Sequence, residues 1–338
     1  MSDKILNIEP MVFPWRTQDP FLFCAHHRDL YPKGNEQFGP ATSLSGRNMG
    51  SDFTIKDGFR MYHGMTVPGF PSHPHRGFET VTIAKEGMVD HSDSLGAAGR
   101  FGEGDVQWMT AGKGVQHSEM FPLLNQDKEN TLEIFQIWLN LPAKSKMVEP
   151  YFSMLWHEKI PVVEQSTDGA KSKVSVIAGA FGEQQALRPA PDSWAADDAH
   201  EVAIWTIKLE PGAKVSIPAA KSTEANRTLY FYQGTGLKVE GQEISDYHLM
   251  DVDSTAELSL VGGGTDCYVL VLQGKPLNEP VVQHGPFVMN THEQIHQTMQ
   301  EYGRTQFGGW PWPKSEQVHD PKRGRFALHA DGREESPS

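Results

Sequence analysis

Two short stretches carry residues whose types and spacing could do chemistry. HPHRGFETVT, residues 73–82, sets His73, His75 and Glu79 at even offsets. GEGDVQWMTAGKGVQHSEM, residues 102–120, brings His117 and Glu119 two residues apart. In a β-strand, residues i, i+2 and i+4 face the same way. Each stretch therefore aims its side chains at one side. If the two strands share a wall, three imidazoles and a carboxylate converge. That set suits iron, nickel, manganese, copper or zinc, with positions left open for water or substrate. A lone HxH pair is more often two polar residues on an exposed strand face. The second pair, and the turn TAGKG before it, whose glycines allow tight backbone, favour a metal. Glu79 and Glu119 could both face the ion, and spacing alone does not choose between them.

The elements that must position these residues are short. Runs rich in Val, Ile, Leu, Phe, Trp and Tyr recur between turns: TVTIA (80–84), DVQWM (105–109), TLEIFQIWLNL (131–141), VSVIAGAF (174–181), VAIWTIKL (202–209), TLYFYQG (228–234), AELSLVG (256–262) and CYVLVLQG (267–274). Frequent short strands between Gly- and Pro-rich turns predict an all-β sandwich or barrel. The strands fall in two batches of similar layout, one ending near Leu141 and one starting near Val174. This is consistent with an internal duplication and two antiparallel β-barrels in tandem. The polar stretch 164–172 reads as the boundary. The expected division is 1–163 for a metal-binding domain, 173–290 for a second domain, and 291–338 for a helix and tail. NTHEQIHQTMQEY (290–302) is the helix, with Asn290 or Thr291 as N-cap and Ile295, Met299 and Tyr302 at i, i+4 and i+7. The tail DGREESPS (331–338) reads as disordered.

Bulk properties exclude several function classes. The 338 residues carry a formal net charge of −13, which argues against direct binding to nucleic acid or to an anionic membrane. No apolar stretch reaches the 18 or so residues of a membrane span. The first residues, MSDKILNIEPMVFPW, lack the basic and apolar regions of a signal peptide. Two distant cysteines, Cys24 and Cys267, suit reduced thiols. The expectation is a soluble, cytoplasmic protein.

HxH, then Glu79, Gly87, Gly104-Asp105 and Gly114-x-x-His117, resembles the two motifs of the cupin superfamily. More narrowly, HPHRGFETVT, DVQWMTAGKGVQHSEM, FQIWLNLP, PLNEPVVQHGPFVMNT and RTQFGGWPWP resemble the pirin family over roughly residues 15–315. The resemblance implies a bicupin of jelly-roll type, two barrels face to face, with metal in the N-terminal one. It implies Fe(2+) held by His73, His75, His117 and Glu119, and it leaves Glu79 beside the site as an orienter of an imidazole. It implies quercetin 2,3-dioxygenase activity on a flavonol, with Glu119 also acting as general base. As the alternative it implies a metal-dependent redox-sensing regulator that binds a protein partner without turnover. Phe78, Met109 and Trp138 are candidate pocket residues, each of which could equally be core. The second batch offers STEANRTLY (222–230) where the first has HPH, and His248 stands alone, so the second domain is expected to be metal-free.

Other motifs carry less. HEQIH (292–296) matches the zinc-peptidase pattern H-E-x-x-H, with Glu316 as a distant third ligand, but its first histidine falls in the opening turn of the helix, so a capped surface helix is expected. GTGLKV (234–239) sits between strands and reads as a hairpin turn. No phosphate-cradling G-x-x-x-x-G-K-[ST] or nucleophile-elbow G-x-S-x-G appears. WPWP (310–313) reads as a rigid closing turn, and HHRD (26–29) as a polar loop.

Overall fold

The computed structural model describes residues 2–337. They form antiparallel sheets with one α-helix, His292–Thr305, near the C-terminal end. No helix among the described residues is long and apolar enough to cross a membrane. The chain divides into two compact units, and neither is continuous in sequence. Of the described residues, one contains 25–158 and 279–337; the other contains 2–24 and 159–278.

In the unit around residues 25–158, a five-stranded sheet runs in the order Tyr151–Leu155, Val106–Thr110, Phe78–Glu86, Asn130–Asn140, Phe21–Tyr31. A six-stranded sheet runs Glu334–Glu335, Phe326–Leu328, Ala98–Gly102, Met88–Asp93, Val115–Met120, Gly69–His75. One apolar cluster draws on both sheets, including Ala84, Met109 and Ile134 from the first and Val89, Phe101 and Val115 from the second.

The other unit has a seven-stranded and a four-stranded sheet around a cluster that includes Val176, Trp205, Ile217, Phe231, Leu258 and Val271. Its strand Lys214–Ile217 alternates exposed Lys and Ser with buried Val215 and Ile217, the pattern of a sheet with one covered face.

The two units share a pairing scheme. In the first, Gly69–His75 pairs with Val115–Met120, Phe78–Glu86 with both Val106–Thr110 and Asn130–Asn140, and Met88–Asp93 with both Ala98–Gly102 and Val115–Met120. In the second, Lys214–Ile217 pairs with Leu258–Val261, Asn226–Gln233 with both His248–Val252 and Cys267–Gly274, and Lys238–Val239 with both Gln242–Glu243 and Leu258–Val261. The same five pairings recur in the same chain order.

Several expectations are corrected. The presumed boundary 164–172 is a hairpin inside one unit: Val162–Thr167 pairs with Ala170–Ala178 around Asp168-Gly169, both at positive φ. An Asp-Gly between strands is a strong two-residue turn signal, and it outweighs the polar composition. The N-terminal strand Ile5–Pro10 pairs with His248–Val252, so the first residues belong with the second unit rather than with 25–158. Of the tail, Glu334–Glu335 pairs with Phe326–Leu328, because the edge strand offers unmet backbone groups; Ser338 lies outside the described residues. HHRD is strand, not loop: His26 stacks on Phe135 and His27 is buried edge-on to Tyr62.

The helix begins at Thr291, whose hydroxyl accepts from the Gln294 N–H in a capping box. Its buried residues are Ile295 and Thr298, with Tyr302 half-buried; Met299 is 43% exposed, so the inward stripe advances by three before four.

Candidate metal centre

The histidine pair of HPH lies on a strand at the end of its sheet, Gly69–His75. Proline cannot donate to a ladder, and an end strand tolerates Pro74 there. A register irregularity between Phe70 and His73 brings His73 opposite His117 on the neighbouring strand. That neighbour begins after Gly114, which adopts φ +129° and sits where a Cβ would fall 2.8 Å from the Phe307 ring. Only glycine fits such a position without strain, so the TAGKG turn delivers His117 in register.

The nitrogens of His73, His75 and His117 lie within 4.8 Å of one another. Nε2 of His73 is 3.1 Å from Nε2 of His75. His73 Nδ1 is 2.8 Å from the Pro71 carbonyl, which can only accept. Nδ1 therefore carries the proton and donates, and Nε2 turns its lone pair to the cluster. His117 is buried with neither ring nitrogen hydrogen-bonded to protein. Burial holds His73 down at about 4 and puts His75 and His117 well below the ordinary histidine value. All three imidazoles are thus neutral at physiological pH, the form that ligates metals.

Glu119 is buried at the edge of this cluster, its Oε2 3.8 Å from His117 Nε2. Thr82 Oγ1 donates to its Oε1 at 2.9 Å and Gln136 Nε2 to its Oε2 at 2.8 Å. Burial raises its carboxyl above the usual range, against the pull of those two donors. Glu79 is buried outside the three-histidine group and accepts from Thr110 Oγ1 at 2.7 Å. Phe78 and Trp138, 4.3 Å apart, stand 5.0 and 5.5 Å from the His75 ring. Met109, the third candidate pocket residue, packs in the apolar cluster instead.

The donor set and the unpartnered His117 fit a divalent transition ion: buried nitrogens without hydrogen-bond partners are costly unless something else binds them. The HEQIH helix does not build a second such centre. His292 and His296 are exposed, and Glu316 accepts from the Met65 and Thr66 N–H groups at 2.7 and 3.1 Å. Trp310 closes a turn, its indole donating to the Lys314 carbonyl, whereas the Trp312 indole donates to the distant Asp93 carbonyl.

Sequence reasoning missed several residues of the site. His91 pairs directly across from Glu119, its ring 5.6 Å from His117 and its Nε2 3.4 Å from Asp93 Oδ2. Thr82 and Gln136 are a cross-strand pair, which is why both reach one carboxylate. The C-terminal segment braces the ligand strands from beside the histidines. Arg76 Nη1 donates to Glu301 Oε2 at 2.9 Å, and Gln116 Nε2 donates to the Gln306 carbonyl at 2.6 Å. The even spacing Val89, His91, Asp93 was the one local signal for His91.

Two units of matching strand pairing, with buried imidazoles clustered in one, define a two-domain protein of cupin type. Residues 32–139 match the pirin family model, and residues 204–308 match the model of the pirin C-terminal cupin domain. The chain belongs to the pirin family. A Pseudomonas aeruginosa protein provisionally named quercetin 2,3-dioxygenase is 42% identical over 70% of this chain and 79% of its own length. Human pirin is 36% identical over 74% of this chain and 81% of its own. A crystal structure of quercetin 2,3-dioxygenase from Acinetobacter baumannii superposes with a TM-score of 0.70 at 26% identity, covering 90% of this chain and 98% of that one.

Proposed function

We propose that this protein is a metal-dependent oxygenase of quercetin 2,3-dioxygenase type, each unit a closed jelly-roll barrel and the metal confined to the unit of residues 25–158. The observation that carries the reading is His117, buried with both ring nitrogens unpartnered beside two more neutral imidazoles. His73, His75, His117 and Glu119 would hold the ion, Fe(2+) before other divalent metals. Bound there, it would supply Lewis acidity toward a substrate hydroxyl and one-electron chemistry with O2.

The chain's own residues do the rest. Glu119, with its affinity for protons raised by burial, accepts the proton of a flavonol 3-hydroxyl as general base. Thr82 and Gln136 hold that carboxylate in place. Phe78 and Trp138 give the planar substrate an apolar wall and exclude water. Both cysteines are buried and unpaired, in keeping with a reducing, cytoplasmic setting.

The family resemblance carries a second reading, a redox-sensing regulator with a protein partner and no turnover, and relatives such as human pirin bear no enzyme name. Protein loaded with Fe(2+) without oxygen, then given quercetin and O2, separates the two. Loss of the flavonol absorbance that disappears in His75→Ala supports the oxygenase. A fully metal-loaded protein inert toward every flavonol tried overturns it and leaves the regulator.

A further inference from the structure

The unit of residues 159–278 has no histidine cluster among its described residues, yet it buries a cation. Arg227 is 1% exposed and has no carboxylate in salt-bridge contact. Its Nε donates to Gln273 Oε1 at 2.7 Å and its Nη2 to the Pro218 carbonyl at 2.8 Å. Nη1 has no hydrogen-bond partner. Beside it the Trp205 indole N–H is also unpartnered, the guanidinium carbon lying 5.9 Å from the Trp205 ring.

Both side chains line a cavity of about 770 Å3, within the range of small-molecule sites. Both unpartnered atoms are buried, so bulk water does not stand in for the missing acceptor. A buried guanidinium with no carboxylate in contact is unfavourable; burial lowers it to about 10, while Glu201 and Asp253 pull the other way from beyond salt-bridge distance.

The surroundings narrow the ligand. The walls include Ala178, Ala203, Leu187 and Pro218. At the rim, Asp197, Asp198 and Glu201 face Arg188 and Lys221, a nearly balanced set. Two of these acids are already engaged: Glu201 accepts from the Lys221 and Ser222 N–H groups, and Asp197 from the Ala199 N–H. Counted with Arg227, the lining acids and bases are three of each, but none of those carboxylates contacts the Arg227 guanidinium, and its Nη1 is left at depth without an acceptor. That guanidinium calls for one negative charge with planar acceptors, carried on an apolar body.

We propose that the cavity of the second unit binds a small organic monocarboxylate, its carboxylate paired with Arg227 and the Trp205 N–H. This site is separate from the histidine cluster and owes nothing to the oxygenase reading.

Calorimetric titration of the full-length protein with benzoate and hexanoate, against citrate and inorganic phosphate, tests it. Saturable binding of the monocarboxylates below about 10 mM is expected, at least about tenfold tighter than citrate or phosphate. Arg227→Gln should weaken it at least about tenfold. Ala186→Trp, which fills the cavity from a half-buried lining position, should do the same without touching the arginine. His117→Ala should leave it intact, which separates this site from carboxylate bound at a metal. No saturable binding, equal binding of phosphate, binding indifferent to both cavity variants, or binding lost in His117→Ala would each overturn the proposal.

Discussion

The two units solve the same pairing problem with opposite interiors. In one, the pair Gly69–His75 and Val115–Met120 brings together His73, His75, His117 and Glu119. In the other, the corresponding pair Lys214–Ile217 and Leu258–Val261 buries Val215, Ile217, Leu258 and Leu260 in the main apolar cluster. The ladder of backbone hydrogen bonds does not depend on which side chains fill the space it encloses. What differs is the energetics. Apolar side chains are stabilised there by leaving water. Unpartnered imidazoles are not, and they persist as an interior only where a ligand repays their burial. At this strand pair the second unit is held by packing, whereas the first is completed by what it binds.

The largest effect should come from deleting a histidine. His117→Ala should take bound metal from about one ion per chain to background by elemental analysis, since the remaining donors no longer enclose an ion. Metal content unchanged in that variant would break the comparison at its root.

The mirror experiment is Leu260→His. It removes a buried apolar side chain and buries an imidazole without partners, so it should cost about 2–5 kcal/mol in a urea denaturation. A variant as stable as the parent would mean that the second interior is not held by packing.

A smaller effect is expected from the residues that hold Glu119. Gln136→Ala or Thr82→Val should weaken metal binding by roughly 10- to 100-fold in a chelator competition, the usual consequence of losing an outer partner of a ligand. An unchanged affinity in both would take Glu119 out of the ligand set.

The smallest effect is in pH. In chelator-treated protein the folded imidazole of His73 sits at about 4, and those of His75 and His117 well below the ordinary value, while unfolded imidazoles titrate near 6.5. Between about 4 and 6.5 the unfolded chain binds more protons than the folded one. Stability therefore rises with pH across that window and falls on acidification. The slope of the urea midpoint over this range should shrink when the histidines are replaced by valine; an unchanged slope would mean that other groups set it.

Much of this was legible in the sequence because strand geometry is local. A period of two puts His73 with His75, and His117 with Glu119, whatever the rest of the chain does. The glycines of the TAGKG turn are legible for the same reason: their backbone requirements are their own. The absence of a histidine pair in STEANRTLY is equally local, whereas the apolar interior beside it shows in the burial of Val215, Ile217, Leu258 and Leu260. The Thr291 cap and the Asp168-Gly169 turn are also written locally, though the polar composition around the second points instead to a domain boundary.

Cross-strand register was not legible. Nothing near His91 in sequence says that it will stand opposite Glu119, nor near Thr82 that it will join Gln136 on the same carboxylate. Residues 2–24 and 279–337 were assigned by contact and not by order along the chain, because a free sheet edge accepts any strand that satisfies its backbone groups. The sequence by itself determined which side chains share a face of each strand. Only the tertiary structure decided which faces meet, since that choice rests on pairings between residues tens to hundreds of positions apart, whose energies no local pattern records.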